Sequence, residues 1–171
     1  MEGERTALET VETVVRSVDS LSREEVQQIV ALINLAYRLH VAFFPNDRTD
    51  YKSIYDEIAG HEMILLLALP SNQLVATAHV HPDGDALYLG LAAVDPHLHN
   101  RGYGAQLLQA GSERARQLGL SKVRLTAILE TGNVAYYLGQ GYRVMAEVPQ
   151  PLGTWGSTIP FTLATLEKSF N

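Results

Sequence analysis

The stretch Val94-Asp95-Pro96-His97-Leu98-His99-Asn100-Arg101-Gly102-Tyr103-Gly104-Ala105-Gln106-Leu107-Leu108 constrains the fold more than any other. An apolar run from Leu87 to Val94 stops at Asp95-Pro96, and a helical pattern begins at Gly102. A polar loop therefore joins the end of a strand to the start of a helix. Such a junction attracts anions: unpaired N–H groups and the positive end of the helix dipole favour phosphate, and glycines let a ligand approach the backbone. Arg101 adds a fixed positive charge. Gly102-x-Gly104 alone also fits an ordinary strand-to-helix turn, so the rest of the chain has to decide.

Composition narrows the classes. The 171 residues suit a single domain with a sizeable core. We expect residues 1–9 to be an N-terminal extension and residues 10–171 to be that domain. No run of about 18 apolar residues suggests a membrane span, and the acidic start Met1-Glu2-Gly3-Glu4-Arg5 lacks the layout of a secretory signal. The expected location is cytoplasmic, with no membrane partner. A net charge of −6 disfavours broad binding to nucleic acid. With no cysteine there is neither a thiolate metal site nor a cysteine nucleophile.

Hydrophobic patterning supplies the elements around the loop. Thr10–Val18 is rich in β-branched residues and predicts a strand. Ser22 and Glu25 stand at capping-box spacing between Leu21 and Val26, so a helix starts at Arg23 and runs to about Leu39. Phe43-Phe44-Pro45-Asn46-Asp47 breaks it into a loop whose aromatics either line a pocket or anchor the loop on the core. A short helix over Tyr51–Ala59 precedes three strands, 63–69, 74–80 and 86–94, which read as an antiparallel meander. Beyond the loop, Gly104, Leu108, Gly111, Ala115 and Leu118 form a helical stripe that allows close approach to a sheet. Ser121–Leu129 is another strand, and a strand-helix-strand unit makes it parallel to 86–94. A short helix over 132–138, with Asn133 placed to cap it, leads to strands 142–148 and 158–166. His79 and His81 share one face of their strand, but no sequence pattern supplies a third metal ligand, so no metal is expected.

Two motifs identify a resemblance. Asp95 to Leu108 resembles the acetyl-CoA pyrophosphate loop of GNAT-superfamily N-acetyltransferases, Arg/Gln-x-x-Gly-x-Gly/Ala at the start of the central helix. Tyr137-x-x-x-Gly141-Tyr142 resembles the same superfamily's second motif. The order of elements also matches, from about Val11 to Leu166. Two positions depart from the pattern: His99 stands in place of Arg or Gln, and Glu130 in place of an Asn seven residues before the tyrosine. Other nucleotide motifs fit worse, since Leu107 replaces the third glycine of a dinucleotide fingerprint and no P-loop lysine exists.

The resemblance implies an α/β (α+β) GNAT-like fold. Its mixed, largely antiparallel twisted sheet would have about seven strands, a central parallel pair splayed around the cofactor, and about four flanking helices. It implies acetyl transfer from acetyl-CoA to the primary amine of a small molecule or peptide, by direct attack in a ternary complex. In that reading Ala92, Ala93 and Val94 offer backbone groups to pantetheine, and His99, Asn100, Arg101, Gly102, Tyr103, Gly104 and Ala105 surround the pyrophosphate. Glu130, Asn133 and Tyr136 lie along the cofactor, and Tyr137 protonates the departing thiolate. Strand 86–94 contains no carboxylate, leaving Tyr88, His79, His81 and Glu130 as candidate bases. Segments 43–51 and 149–157 would shape the acceptor pocket. A homodimer is compatible with the fold, and a non-catalytic acyl-CoA-binding module on it is the alternative.

Overall fold

The computed structural model of the protein describes residues 10–40 and 42–170, so the extension expected over residues 1–9 lies outside them. The elements are β1 (Val11–Ser17), α1 (Arg23–Tyr37), α2 (Tyr51–Ile58), β2 (Glu62–Ala68), β3 (Gln73–Asp83) and β4 (Ala86–Val94). They continue with α3 (Tyr103–Gln117), β5 (Lys122–Ile128), α4 (Asn133–Gly139), β6 (Arg143–Gln150) and β7 (Phe161–Ser169). One sheet of seven strands runs in the order β1-β2-β3-β4-β5-β7-β6. Only β4 and β5 are parallel neighbours among the described residues, and the other pairs are antiparallel. The mixed sheet and the meander β2-β3-β4 are those the sequence implies.

Apolar side chains on both faces of the sheet make two cores. In β2, Ile64 and Leu66 pack with Leu87, Leu89, Leu107, Leu108 and Leu125 on the α3 side. Met63 and Leu65 alternate with them and pack with Ile29, Ile33, Ile54 and Ile58 on the α1–α2 side. The capping box at the start of α1 is formed: the Glu25 N–H donates to Ser22 Oγ at 3.1 Å and the Ser22 N–H to Glu25 Oε1 at 3.0 Å. Helix α3 sits close to β4 because Gly111 has no side chain, and a Cβ there would come within 2.8 Å of Leu89 Cδ1. Leu118, expected to extend the α3 stripe, is instead 39% exposed, since the helix has ended by that residue.

Three boundaries differ from expectation for local reasons. Strand β3 continues to Asp83 because Gly84, at φ +61°, closes a tight hairpin that pairs Asp83 with Ala86. Strand β7 begins only at Phe161: the Thr158 N–H donates to the Phe43 carbonyl at 2.9 Å, which turns that segment away from the sheet. Gly132, at φ +81°, is the N-cap of α4, so Asn133 occupies the first helical position and makes no side-chain cap. Among the described residues no helix is long and apolar enough to cross a membrane.

Ile33 is fully buried where α1 meets the sheet. Ile33→Ala should lower the free energy of unfolding by about 2–5 kcal/mol. A urea titration checks this, and the midpoint should fall with the slope unchanged.

Candidate active site

The two central strands touch only at one end. β4 and β5 pair from Ala86–Lys122 to Tyr88–Arg124 and no further, although β4 continues to Val94 and β5 to Ile128. Charged side chains hold the closed end: Arg124 bridges Glu167 and Asp83, each at 2.8 Å, and Lys122 reaches Asp85 at 3.1 Å. Just beyond the last paired residues, the Tyr88 hydroxyl lies 3.1 Å from Thr126 Oγ1. Past that contact the strands diverge, and backbone groups along the facing edges have no strand partner.

A β-bulge shapes the β4 side of the opening. Thr77 pairs with Ala93 but His79 pairs with Gly90, so β4 carries one extra residue, and Leu91 adopts φ +49°. The bulge reverses the strand's phase. Leu87 and Leu89 pack on the α3 side, whereas Leu91 and Ala93 pack on the α1 side. At the end of the strand the Asp95 N–H donates to the Val75 carbonyl at 2.9 Å, on the β3 edge. Successive N–H groups of an extended strand point to opposite edges, so the Val94 N–H faces the opening.

The chain next turns into α3 over a loop built for close backbone approach. Asp95 Oδ1 accepts the His97 N–H at 2.9 Å, and Pro96–Leu98 form a single 3₁₀ turn. Asn100 and Gly102 then take left-handed conformations at φ +63° and +82°. The first helical hydrogen bond runs from the Gln106 N–H to the Gly102 carbonyl. The N–H groups of Tyr103, Gly104 and Ala105 therefore lack helical acceptors. His99 and Arg101 are exposed beside them, while Tyr103 is buried and anchors the helix. Over this end stands Tyr136, whose hydroxyl would lie 2.7 Å from a Cβ at Gly104.

Helix α4 brings its two tyrosines to different places. Tyr136 is 44% exposed, whereas Tyr137 packs on the core beside Tyr142, with ring centroids 5.9 Å apart. Burial pushes the Tyr137 phenol well above its ordinary range, and the neighbouring Tyr37 and Tyr136 add to the shift. Tyr37, at the end of α1, is itself pushed up by burial. Tyr37 also lines a cavity with Phe44 and Arg48, which makes it a candidate site residue that sequence patterning does not single out.

The candidate bases are placed unequally. Glu130 uses both carboxylate oxygens to accept the Thr162 N–H, each at 2.9 Å, and this contact holds its carboxyl below the usual range. It is therefore a weak base, and it ties the turn after β5 to the start of β7. His79 is 5% exposed, and burial, with smaller effects from His61, His81 and Arg48, pushes its imidazole down to about 3. It fits against β4 because Gly90 leaves room for its ring. His61, which no local pattern connects to His79 and His81, joins them through the pairing of β2 with β3.

The two segments expected to wall the acceptor pocket approach at Gly156, where a Cβ would lie 3.2 Å from Asn46 Nδ2. Just outside them, Thr158 Oγ1 donates to the Ala42 carbonyl at 2.8 Å, and the Phe161 ring packs edge to face on Phe44 at 5.4 Å. Phe44 both anchors the loop and lines a cavity of about 140 Å³ with Tyr37, Asn46 and Arg48.

This arrangement is that of a family. The model of the acetyltransferase (GNAT) family matches residues 29–142, and the chain belongs to that family. Among solved structures it is similar to the ribosomal-protein-S18-alanine N-acetyltransferase of Escherichia coli, with 15% identity, 92% of this chain and 94% of that one covered, and a TM-score of 0.69. A GNAT family acetyltransferase from Elizabethkingia anophelis with acetyl-CoA bound has 15% identity, 94% and 98% coverage, and a TM-score of 0.64. An acetyltransferase of Bacillus subtilis in complex with CoA has 16% identity, 95% and 100% coverage, and a TM-score of 0.65. At these identities the likeness is one of fold. No curated protein matches the sequence.

The Glu130 contact gives a pH prediction. Its folded-state pKa lies below the unfolded value, so its contribution to stability is full above the ordinary carboxylate range and disappears as pH falls through the lower folded value. Because the carboxylate is exposed, the contribution should be under about 1 kcal/mol. Urea midpoints measured from about pH 5 to 3 should fall less steeply in Glu130→Gln than in the parent.

Proposed function

We propose that this chain is an acetyl-CoA-dependent N-acetyltransferase that moves the acetyl group to a primary amine by direct attack in a ternary complex. The observation that carries this reading is the opening between β4 and β5, bordered by unpaired strand edges and leading to the N–H groups of α3 that lack helical acceptors. Residues 10–171 would act as one catalytic domain. The acetyl-CoA and CoA complexes of the similar folds support the choice of co-substrate.

In this reading the N–H groups of Gly102 to Ala105 and the Arg101 guanidinium bind the pyrophosphate, with His99 and Asn100 at the edge of the loop. Pantetheine lies along Ala92, Ala93 and Val94, whose backbone takes it up as a short strand, and Asn133 and Tyr136 flank it. The outward Val94 N–H donates to the thioester carbonyl, and the bond strengthens as that oxygen gains negative charge.

The amine enters between the 42–51 loop and the β6–β7 segment and meets Tyr37, Tyr88 and Tyr137. Their enclosed, neutral surroundings disfavour an ammonium ion, so the amine binds in its nucleophilic form. Its nitrogen forms the C–N bond, the C–S bond breaks, and the electron pair leaves on sulfur. Tyr137 donates its proton to the thiolate, and the proton that the attacking nitrogen sheds on becoming an amide passes to the Tyr137 phenolate, directly or through water, restoring the phenol. Its raised pKa keeps the phenol protonated at neutral pH, and the same enclosure destabilises the thiolate that receives the proton.

Two substitutions test this. Gly104→Glu would set a carboxylate against the phosphates and push on Tyr136. It should abolish acetyl-CoA binding in calorimetry, and unchanged affinity in a folded variant would remove the assignment. Tyr137→Phe keeps the ring packing and should lower kcat about 10²- to 10⁴-fold with acetyl-CoA affinity nearly intact. A kcat within about threefold of the parent would exclude proton donation by Tyr137. The assays use a panel of small amines and peptides, and cofactor binding without turnover on any of them would favour the acyl-CoA-binding module.

A further inference from the structure

We propose that His61, His79 and His81 form a binding site for one transition-metal ion of the zinc, cobalt or nickel class, on the sheet face where α2 leads into β2. This goes beyond the transferase reading and does not depend on it, because the ligands are provided by β3 and by the residue that precedes β2, not by the cofactor opening.

Strand geometry gathers the three side chains. His79 and His81 are two residues apart on β3 and project from one face. Glu62 pairs with Val80 and Met63 with His79, so His61 stands across from His81 and diagonal to His79 on that face. The ring centroids are 4.1 Å apart for His61 and His81, 5.3 Å for His61 and His79, and 5.9 Å for His79 and His81. One ring nitrogen from each residue lies within 4.8 Å of those of the other two.

The polar atoms here are left unsatisfied. The Nδ1 atoms of all three histidines are buried and have no hydrogen-bond partner among the described residues. His79 is also 5% exposed, so solvent reaches it poorly. Buried polar atoms ordinarily find partners, and three orphaned imidazole nitrogens in one cluster are not accounted for by packing. A cation that accepts imidazole lone pairs gives the cluster a common partner.

The donor set selects the metal. Three imidazoles without thiolate or carboxylate suit zinc and its neighbours in the first row, whereas calcium and magnesium require oxygen ligands. Around zinc, with Zn–N bonds of roughly 2.0–2.1 Å, tetrahedral nitrogens sit about 3.3 Å apart. The nitrogens therefore need to close by about 1.5 Å at most, and the rings, stacked within 18° of parallel, need to turn about their side-chain torsions so that the lone pairs converge. Half-buried His61 and His81 make that movement, while His79 stays fixed between Gly90 and the core. Three protein ligands leave a fourth position for water or an incoming group. The Tyr88 ring lies 5.3 Å from His81 and 6.0 Å from His79, so the ion would sit beside the acceptor side of β4.

Titration of the chelator-stripped full chain with Zn²⁺ or Co²⁺ tests the site. Calorimetry should give one ion per chain, and bound Co²⁺ should show the visible ligand-field bands of a low-coordinate nitrogen site. His61→Ala and His81→Ala should each weaken binding by more than about 100-fold, since loss of even an outer-shell partner costs roughly 10- to 100-fold. His97→Ala, at an exposed position on another loop, should leave it unchanged. Zinc-edge X-ray absorption of the unsubstituted protein should show the scattering of three imidazoles. Absence of stoichiometric binding, unchanged affinity in both cluster variants, or fewer than three imidazoles at the zinc edge would overturn the proposal. The absorption measurement decides the matter even if a variant fails to fold.

Discussion

The three-residue parallel contact between β4 and β5 is the constraint on which the rest of the molecule depends. A parallel pair needs a crossover, and α3 supplies it, so the opening, the loop and the helix N-terminus necessarily lie at the same end of the sheet. Holding the strands together at their start while letting them part further on requires a clamp and a wedge. Arg124, Lys122 and their acidic partners clamp the closed end, while the bulge at Leu91 and the loss of pairing after Tyr88 open the other.

The helices are distributed to serve that opening. α3 uses Gly111 to lie against Leu89, which fixes where its N-terminus points. α1, held by Ile29 and Ile33, carries Tyr37 to the opposite face. α4 is short and is placed by Glu130 and Gly132, which set the turn after β5 before Tyr136 and Tyr137 diverge. The two tyrosines are adjacent in sequence but differ in burial, so one stands over the N-terminal end of α3 and the other reaches the core.

Much of this was legible in the residues because it depends on local rules. The capping box at Ser22, the boundaries of β4 and the glycine-rich start of α3 follow from side-chain chemistry within a few positions. The parallel relation of β4 and β5 followed from chain connectivity. What could not be read depends on strand register. His61 lies 18 residues before His79, and only the pairing of Met63 with His79 brings them together. Glu130 looked like a cofactor contact or a base until its partner, the Thr162 N–H, came from a strand that starts later than the pattern of 158–166 suggests. Leu91, an ordinary leucine in an apolar run, gives no sign that its φ is positive.

The bulge means that β4 is written in two spatial frames. Up to Leu89 its odd-numbered leucines belong to the α3 core, and from Leu91 onward the odd positions belong to the α1 core. Loss of a single residue at this point would act as a frameshift in space, not as a shortening of the strand. Leu91 and Ala93 would exchange faces with Ala92 and Val94, and the N–H at the strand's last residue would turn from the opening toward β3. Chain length within this one strand is thus as strictly specified as residue type, and related sequences should vary at the bulge by substitution far more readily than by insertion or deletion.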